Sequence, residues 1–224
     1  MPWMITCEHA GNEIPEEYKY LFSAHQQVLE THRGWDLGAS EMAEYLAKEL
    51  RAPLFQCSIS RLLIEANRSL HNHQLFSEFS HPLSAAEKQK IIETIYLPYR
   101  NPVEDHVGAQ AQQVTHLSIH SFTPVWHNKE RLVDVGILFD PEREVELRFS
   151  ESLKSQLSGL LPGYRILFNE PYAGKDDGFA TYLRTRFPGE KYIGIELEIN
   201  QKYVGQPAMQ TIQRALVQGV KNLS

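Results

Sequence analysis

Short runs of strand-forming residues recur along this chain, and amphipathic stretches of helical period separate them. Trp3 to Cys7, Ala52 to Ile59, Leu117 to His120, Val133 to Phe139, Tyr164 to Phe168 and Tyr192 to Ile199 read as strands. Between them, apolar residues fall at helical spacing: Leu37, Met42, Leu46 and Leu50 after Asp36, and Met209, Ile212, Leu216 and Val220 within Pro207 to Leu223. Ser84 and Glu87 form a capping box ahead of a helical stretch reaching about Gln113, with breaks expected near Pro98 and at Asn101-Pro102. Pro15 with Glu16 and Glu17 suits a short helix, Asp140-Pro141 is expected to open another, and Phe179 to Arg186 reads as a third. A short extra strand is expected at Arg61 to Glu65, and Asn67 to Phe76 reads as an ordered loop. Strands alternating with helices predict a single-domain (residues 1–224) three-layer α/β/α sandwich with a mixed, mainly parallel sheet.

A chain of 224 residues can build one such domain with a substantial core. A net charge of -6 without a basic run argues against a nucleic-acid partner. No apolar run approaches the roughly 18 residues of a membrane span, so no membrane partner is expected. The N-terminus lacks a charged segment followed by an apolar one, and Cys7 and Cys57 lie in apolar runs as reduced, buried thiols would. The expected location is the cytoplasm.

Chemistry concentrates at strand ends. His116-Leu-Ser-Ile-His120 alternates polar and apolar residues and runs out into Ser121-Phe-Thr-Pro124, which places His120 at the C-terminal end of a strand. Ligand sites of open α/β sheets lie at that end. The first strand delivers Glu8 and His9 there. The last carries Glu196 and Glu198, two apart and so on one face, with Ile193, Ile195, Leu197 and Ile199 on the other. A solvent-facing edge strand would leave such carboxylates free; in a covered strand they need a metal, an arginine or a shared proton. Arg61, Asn67 and Arg68 flank an apolar segment and could clamp an anion. Zinc hydrolysis requires three protein ligands, an open position for water and a carboxylate base. His9 and His120 are natural ligands. Asp36, Glu13 and Glu8 are candidates for the third, with Glu8 last because it should point away from His9. The remaining histidines read as surface or hydrogen-bonding residues, although His71 and His73 could reach the site from the loop after Arg68.

Cys7-Glu-His-Ala-Gly-Asn12 with Ile14-Pro15, Trp35-Asp36, Ser60-Arg61, Asn67-Arg68, Ile119-His-Ser-Phe-Thr-Pro124, Asn169-Glu-Pro-Tyr172 and Glu196-Leu-Glu198 together resemble the N-formylglutamate amidohydrolase family over residues 5 to 203. The resemblance implies a zinc-peptidase-like α/β fold, one zinc ion, and hydrolysis of a small N-acylated amino acid at its amide bond. It implies His9, Asp36 and His120 as the metal ligands, in preference to a set with Glu13. It implies Arg61, Asn67 and Arg68 at the substrate carboxylate and carbonyl, and Glu198 as general base, with Glu196 as the alternative. Two other readings stay open: a metal-free binding protein for an anionic metabolite, and a peptidoglycan-type amidase, against which the N-terminus weighs.

Overall fold

The computed structural model describes residues 2–223. Its strands in chain order are β1 (Trp3–Cys7), β2 (Leu54–Gln56), β3 (Val114–Phe122), β4 (Val125–Trp126), β5 (Lys129–Glu130), β6 (Val135–Leu138), β7 (Ile166–Phe168) and β8 (Tyr192–Asn200). β4 and β5 form a separate antiparallel hairpin. The others make one six-stranded sheet in the order β2-β1-β3-β8-β6-β7. β2, β1, β3 and β8 run parallel, β6 is antiparallel to β8, and β7 is parallel to β6. This is the expected mixed, mainly parallel sheet. β3 and β8 are its longest pair, in register from Val114 opposite Tyr192 to Phe122 opposite Asn200.

Helices α1 (Ala39–Leu50), α2 (Ala85–Ile91), α3 (Leu97–Ala109), α4 (Glu144–Leu160), α5 (Phe179–Arg186) and α6 (Pro207–Lys221) complete the layers. α1, α4 and α6 cover one face of the sheet, where Met42, Leu46, Leu153, Ile212 and Leu216 pack on Ile5, Leu117, Ile119, Ile195 and Leu197. Burying each such side chain contributes about 1.5–3 kcal/mol, and this layer is the main source of cohesion. α3 and α5 cover the opposite face through a smaller cluster, in which Val103, Val107, Phe179 and Leu183 meet Met4, Val114 and Tyr192. Among the described residues no helix is long and apolar enough to cross a membrane.

Several local expectations are corrected. Arg61 to Glu65 is a turn, not a strand, because Leu63 and Ile64 bury in a loop cluster with Tyr18, Leu75 and Ile91 while Arg61 and Glu65 pair with each other. The first long helix starts at Ala39 rather than Asp36: Gly38 takes a left-handed φ of 78° between them, and the Asp36 side chain makes no cap. Asp140 caps a turn, accepting from Glu142 N at 3.0 Å, and the helix begins only at Glu144. The second strand is shorter than expected, Leu54–Gln56, with Ile59 bridging to Glu13 beyond it. The chain does not break at Asn101-Pro102. A π-helical turn at Ile92–Tyr96 leads into α3, Pro98 follows that turn at the start of α3, and α3 runs through Pro102. Buried Tyr99, Val103 and Val107 hold α3 across that missing hydrogen bond.

Candidate metal centre

His9 lies just past the end of β1, in a turn whose carbonyl accepts the Asp36 N–H at 3.1 Å, so the two segments are tied by the backbone. β3 carries His120 two residues before its end. The three side chains converge. His9 Nδ1 is 3.2 Å and His120 Nδ1 3.0 Å from the same oxygen, Asp36 Oδ2, and one possible ligand atom from each residue lies within 4.8 Å of the others. The ring centroids are 5.0 Å apart, and all three residues are buried.

The far nitrogen of each imidazole is occupied. Glu65 Oε1 is 2.5 Å from His9 Nε2, and Glu8 Oε2 is 3.1 Å from His120 Nε2, with Ser118 Oγ at 2.9 Å. Carboxylates on the outer nitrogens orient metal-binding histidines and raise their basicity. Both imidazoles therefore sit between acids. Burial and Arg61 press His9 toward neutrality, but Glu65 and Asp36 outweigh them and raise its pKa. Burial opposes charge on His120 too, yet its hydrogen bonds to the Asp36 and Glu8 carboxylates hold it well above the usual value. Asp36, Glu8 and Glu65 all lie well below the ordinary carboxylate range, held ionised by these histidines and by Arg61 despite burial. Three buried carboxylates thus converge on two imidazoles and Arg61 at one point. With both rings neutral, His9, Asp36 and His120 would offer a donor set suited to a divalent cation.

Glu13 is elsewhere: it is exposed, its carboxylate accepts from Ser58 Oγ at 2.9 Å, and its backbone pairs with Ser58 and Ser60. Glu196 and Glu198 are not on an edge. β8 lies between β3 and β6, and both carboxylates are buried on the face of His120, with Glu198 opposite His120 in register. Glu198 Oε2 has no hydrogen-bond partner. Burial, only partly offset by His120 and reinforced by Asp36 and Glu196, pushes Glu198 up to about 7. Burial raises Glu196 as well. Gly136 on β6 makes room here, since a Cβ would run into the Glu170 carbonyl and approach Glu198 Cβ at 3.1 Å.

Arg61 binds Glu65 at 2.6 Å and Asp36 at 3.3 Å, with part of its side chain left open. Asn67 Oδ1 accepts the Phe179 N–H at 2.6 Å, which ties the loop to the start of α5. Arg68 donates to the carbonyls of Asp177 (2.5 Å) and Asn67 (3.4 Å) and pairs with no carboxylate. Two adjoining cavities meet at the centre. The inner, about 150 Å³, is lined by His9, His120, Asn67, Arg68, Glu196 and Glu198. The outer, about 460 Å³, is walled by His32, His73, Phe76, Phe122 and Trp126. Asp36, Arg61, Arg68, Ser121 and Tyr172 line both.

Sequence reasoning passed over Glu65, the partner of His9, and the support that Glu8 gives His120. The available signal for Glu65 was an acid four residues after Arg61 in an otherwise apolar stretch. Of the loop histidines, His73 does reach the outer cavity, while His71 lies against Ser69, 3.2 Å from its hydroxyl. His116 proves fully buried, hydrogen-bonded to Thr6 (2.6 Å) and Tyr192 (2.7 Å).

The sequence pattern of the family described as N-formylglutamate amidohydrolase matches residues 1–204. Among solved structures, a gene product of Agrobacterium tumefaciens shares the fold with a TM-score of 0.82 at 24% identity, covering 99% of this chain and 91% of that one. A bacteriophage poly-gamma-glutamate hydrolase is similar at a TM-score of 0.50 and 11% identity, covering 99% and 84%. No curated protein sequence matches this chain.

Proposed function

The chain belongs to the N-formylglutamate amidohydrolase family, and from that premise we propose that it is a zinc-dependent hydrolase cleaving the amide of a small N-acylated, N-formylglutamate-like amino acid. One observation carries the reading: two imidazoles present Nδ1 to a single Asp36 oxygen while Glu65 and Glu8 hold their outer nitrogens. His9, Asp36 and His120 would hold the ion. Bound there, zinc supplies Lewis acidity toward an acyl oxygen and acidifies water at neutral pH.

Glu198 is the base. Glu198 lines the inner cavity and keeps one buried oxygen without a partner, and a carboxyl titrating near 7 can take a proton from water and return it to the departing amine. Glu196, on the same face, keeps negative charge close and is the alternative. Arg61, open on one side to both cavities, faces charge developing on the acyl oxygen. Arg68, free of any carboxylate, receives the substrate carboxylate. Asn67 shapes that end of the cavity, its amide oxygen being held by Phe179 N.

The test is metal content together with turnover. Protein purified without chelator should carry stoichiometric zinc and release the acyl group from N-formyl or N-acetyl amino acids in proportion to zinc occupancy. Protein that binds substoichiometric zinc and gains nothing from added metal, while still binding acidic amino acids, would be the metal-free binding protein instead.

A further inference from the structure

The outer cavity is far larger than a formyl group requires, and one wall of it is built with care. After β3, the β4–β5 hairpin turns at His127 and Asn128, both with positive φ (48° and 61°), and closes through Arg131 N donating to Pro124 O at 2.8 Å. This tight hairpin presents Trp126, 46% exposed, to the cavity. Arg131 then folds back over three rings: its guanidinium carbon lies 5.7 Å from the centroid of Phe122, 5.2 Å from Trp126 and 5.1 Å from Tyr172. It donates to the Tyr172 hydroxyl at 3.1 Å.

No carboxylate pairs with Arg131 among the described residues. Its neighbours differ. Arg33 is paired with Glu78, and Arg61 with Glu65 and Asp36. The field of these cations converges on the cavity wall: burial, followed by the charges of Arg61, Arg33 and Arg131, lowers the pKa of His32, whose ring stands edge-on to Trp126 at 5.9 Å. An arginine immobilised by three rings and left without a counter-ion is pre-organised to receive an anion from outside.

Two arginines without a carboxylate partner thus stand by this site: Arg68, which lines both cavities, and Arg131, which packs on Phe122, Trp126 and Tyr172 in the wall of the outer one. We propose that the acyl group removed by this enzyme is extended and ends in its own carboxylate, a dicarboxylic acyl chain of the succinyl or glutaryl kind, held by Arg131 with its methylenes against Trp126 and Tyr172. The proposal rests on the hydrolase reading above, which places the amino-acid half at Arg68 and hence the acyl half in the outer cavity.

The experiment compares the zinc-loaded protein on N-formyl-, N-acetyl-, N-butyryl-, N-succinyl- and N-glutarylglutamate. Succinyl or glutaryl should exceed butyryl in kcat/KM by about tenfold or more, chiefly through KM, as one charge-assisted contact requires. Arg131→Met, which keeps the packing and removes the charge, should bring that ratio near unity. Formyl or butyryl substrates turned over as well as the dicarboxylic ones, or an Arg131→Met variant that slows all of them equally, would overturn it. If nothing is hydrolysed, calorimetric titration of zinc-loaded protein with N-glutarylglutamate separates the two ideas. Binding weakened tenfold by Arg131→Met upholds the anion site while the hydrolase reading falls; equal binding by both proteins ends the proposal.

Discussion

The two faces of the central strands contrast sharply in what they bury. On one, Ile5 and Cys7 of β1, Leu117 and Ile119 of β3, and Ile195, Leu197 and Ile199 of β8 meet the apolar sides of α1, α4 and α6. On the other, the same strands bury Thr6 and Glu8, then His116, Ser118 and His120, then Glu196 and Glu198. The side-chain period of two makes both faces unavoidable consequences of one sequence. The polar face survives burial because nearly every group on it is answered. Tyr99 and Ser118 donate to Glu8 (2.9 and 2.6 Å), Thr6 and Tyr192 bond His116, and Asp36 answers the imidazoles of both His9 and His120. Glu198 Oε2 is the exception on the strands, and it belongs to the residue proposed as the base. One face supplies cohesion, and the other holds a poised charge arrangement against a rigid backing.

Substitutions on each face should break this division of labour in different observables. The largest effect is expected from Glu198→Gln: steady-state turnover should fall about 10²- to 10⁴-fold with zinc content preserved, and unchanged turnover would remove Glu198 as the base. On the apolar face, Ile195→Ala should cost ~2–5 kcal/mol in denaturant unfolding, whereas zinc affinity per folded molecule should hold. Loss of zinc affinity in that variant would show the two faces to be coupled.

His116 sharpens the comparison through pH. Burial, with only partial relief from Glu8, lowers its pKa to about 4 from an ordinary 6.5, so the folded protein holds it neutral. The unfolded chain then binds the extra proton between those values. Stability from this group is complete above pH 6.5 and is lost as pH falls to 4, amounting to ~3 kcal/mol over the window. Glu198, raised to about 7, acts in the opposite sense across part of the same range, so the quantity to measure is the unfolding difference between wild type and His116→Asn. That difference should shrink toward acid pH, and a difference independent of pH would mean that His116 is not held neutral. The smallest effect is expected for Glu65→Gln, which keeps the shape but weakens the hold on His9. Zinc affinity by competition with a chelator should drop about 10- to 100-fold.

Much of the site was legible from residue order. His120 could be placed because alternating Leu117 and Ile119 force it onto the polar face, and Pro124 bounds the strand beyond it. Glu196 and Glu198 share a face for the same reason. That the face is interior, with β6 antiparallel beside β8, was not legible, because strand order depends on long-range pairing. Glu65 was missed because a turn fixed by tertiary burial of Leu63 and Ile64 reads locally like a short strand. Asp36 was singled out through the family resemblance rather than from local pattern. It stands before α1 rather than capping it, and the free carboxylate reaches His9 and His120 instead.

By itself the sequence determined which elements form, which residues share a strand face, and which titratable groups stand at strand ends, since these follow from local periodicity and stereochemistry. Tertiary structure alone decided that Asp36 rather than Glu13 stands between His9 and His120, that Glu65 and Glu8 back them, and that Arg131, with no carboxylate partner among the described residues, packs on the rings walling the outer cavity. Those contacts join residues far apart in the chain. Their geometry is set by how loops close over the buried sheet, which no local pattern encodes.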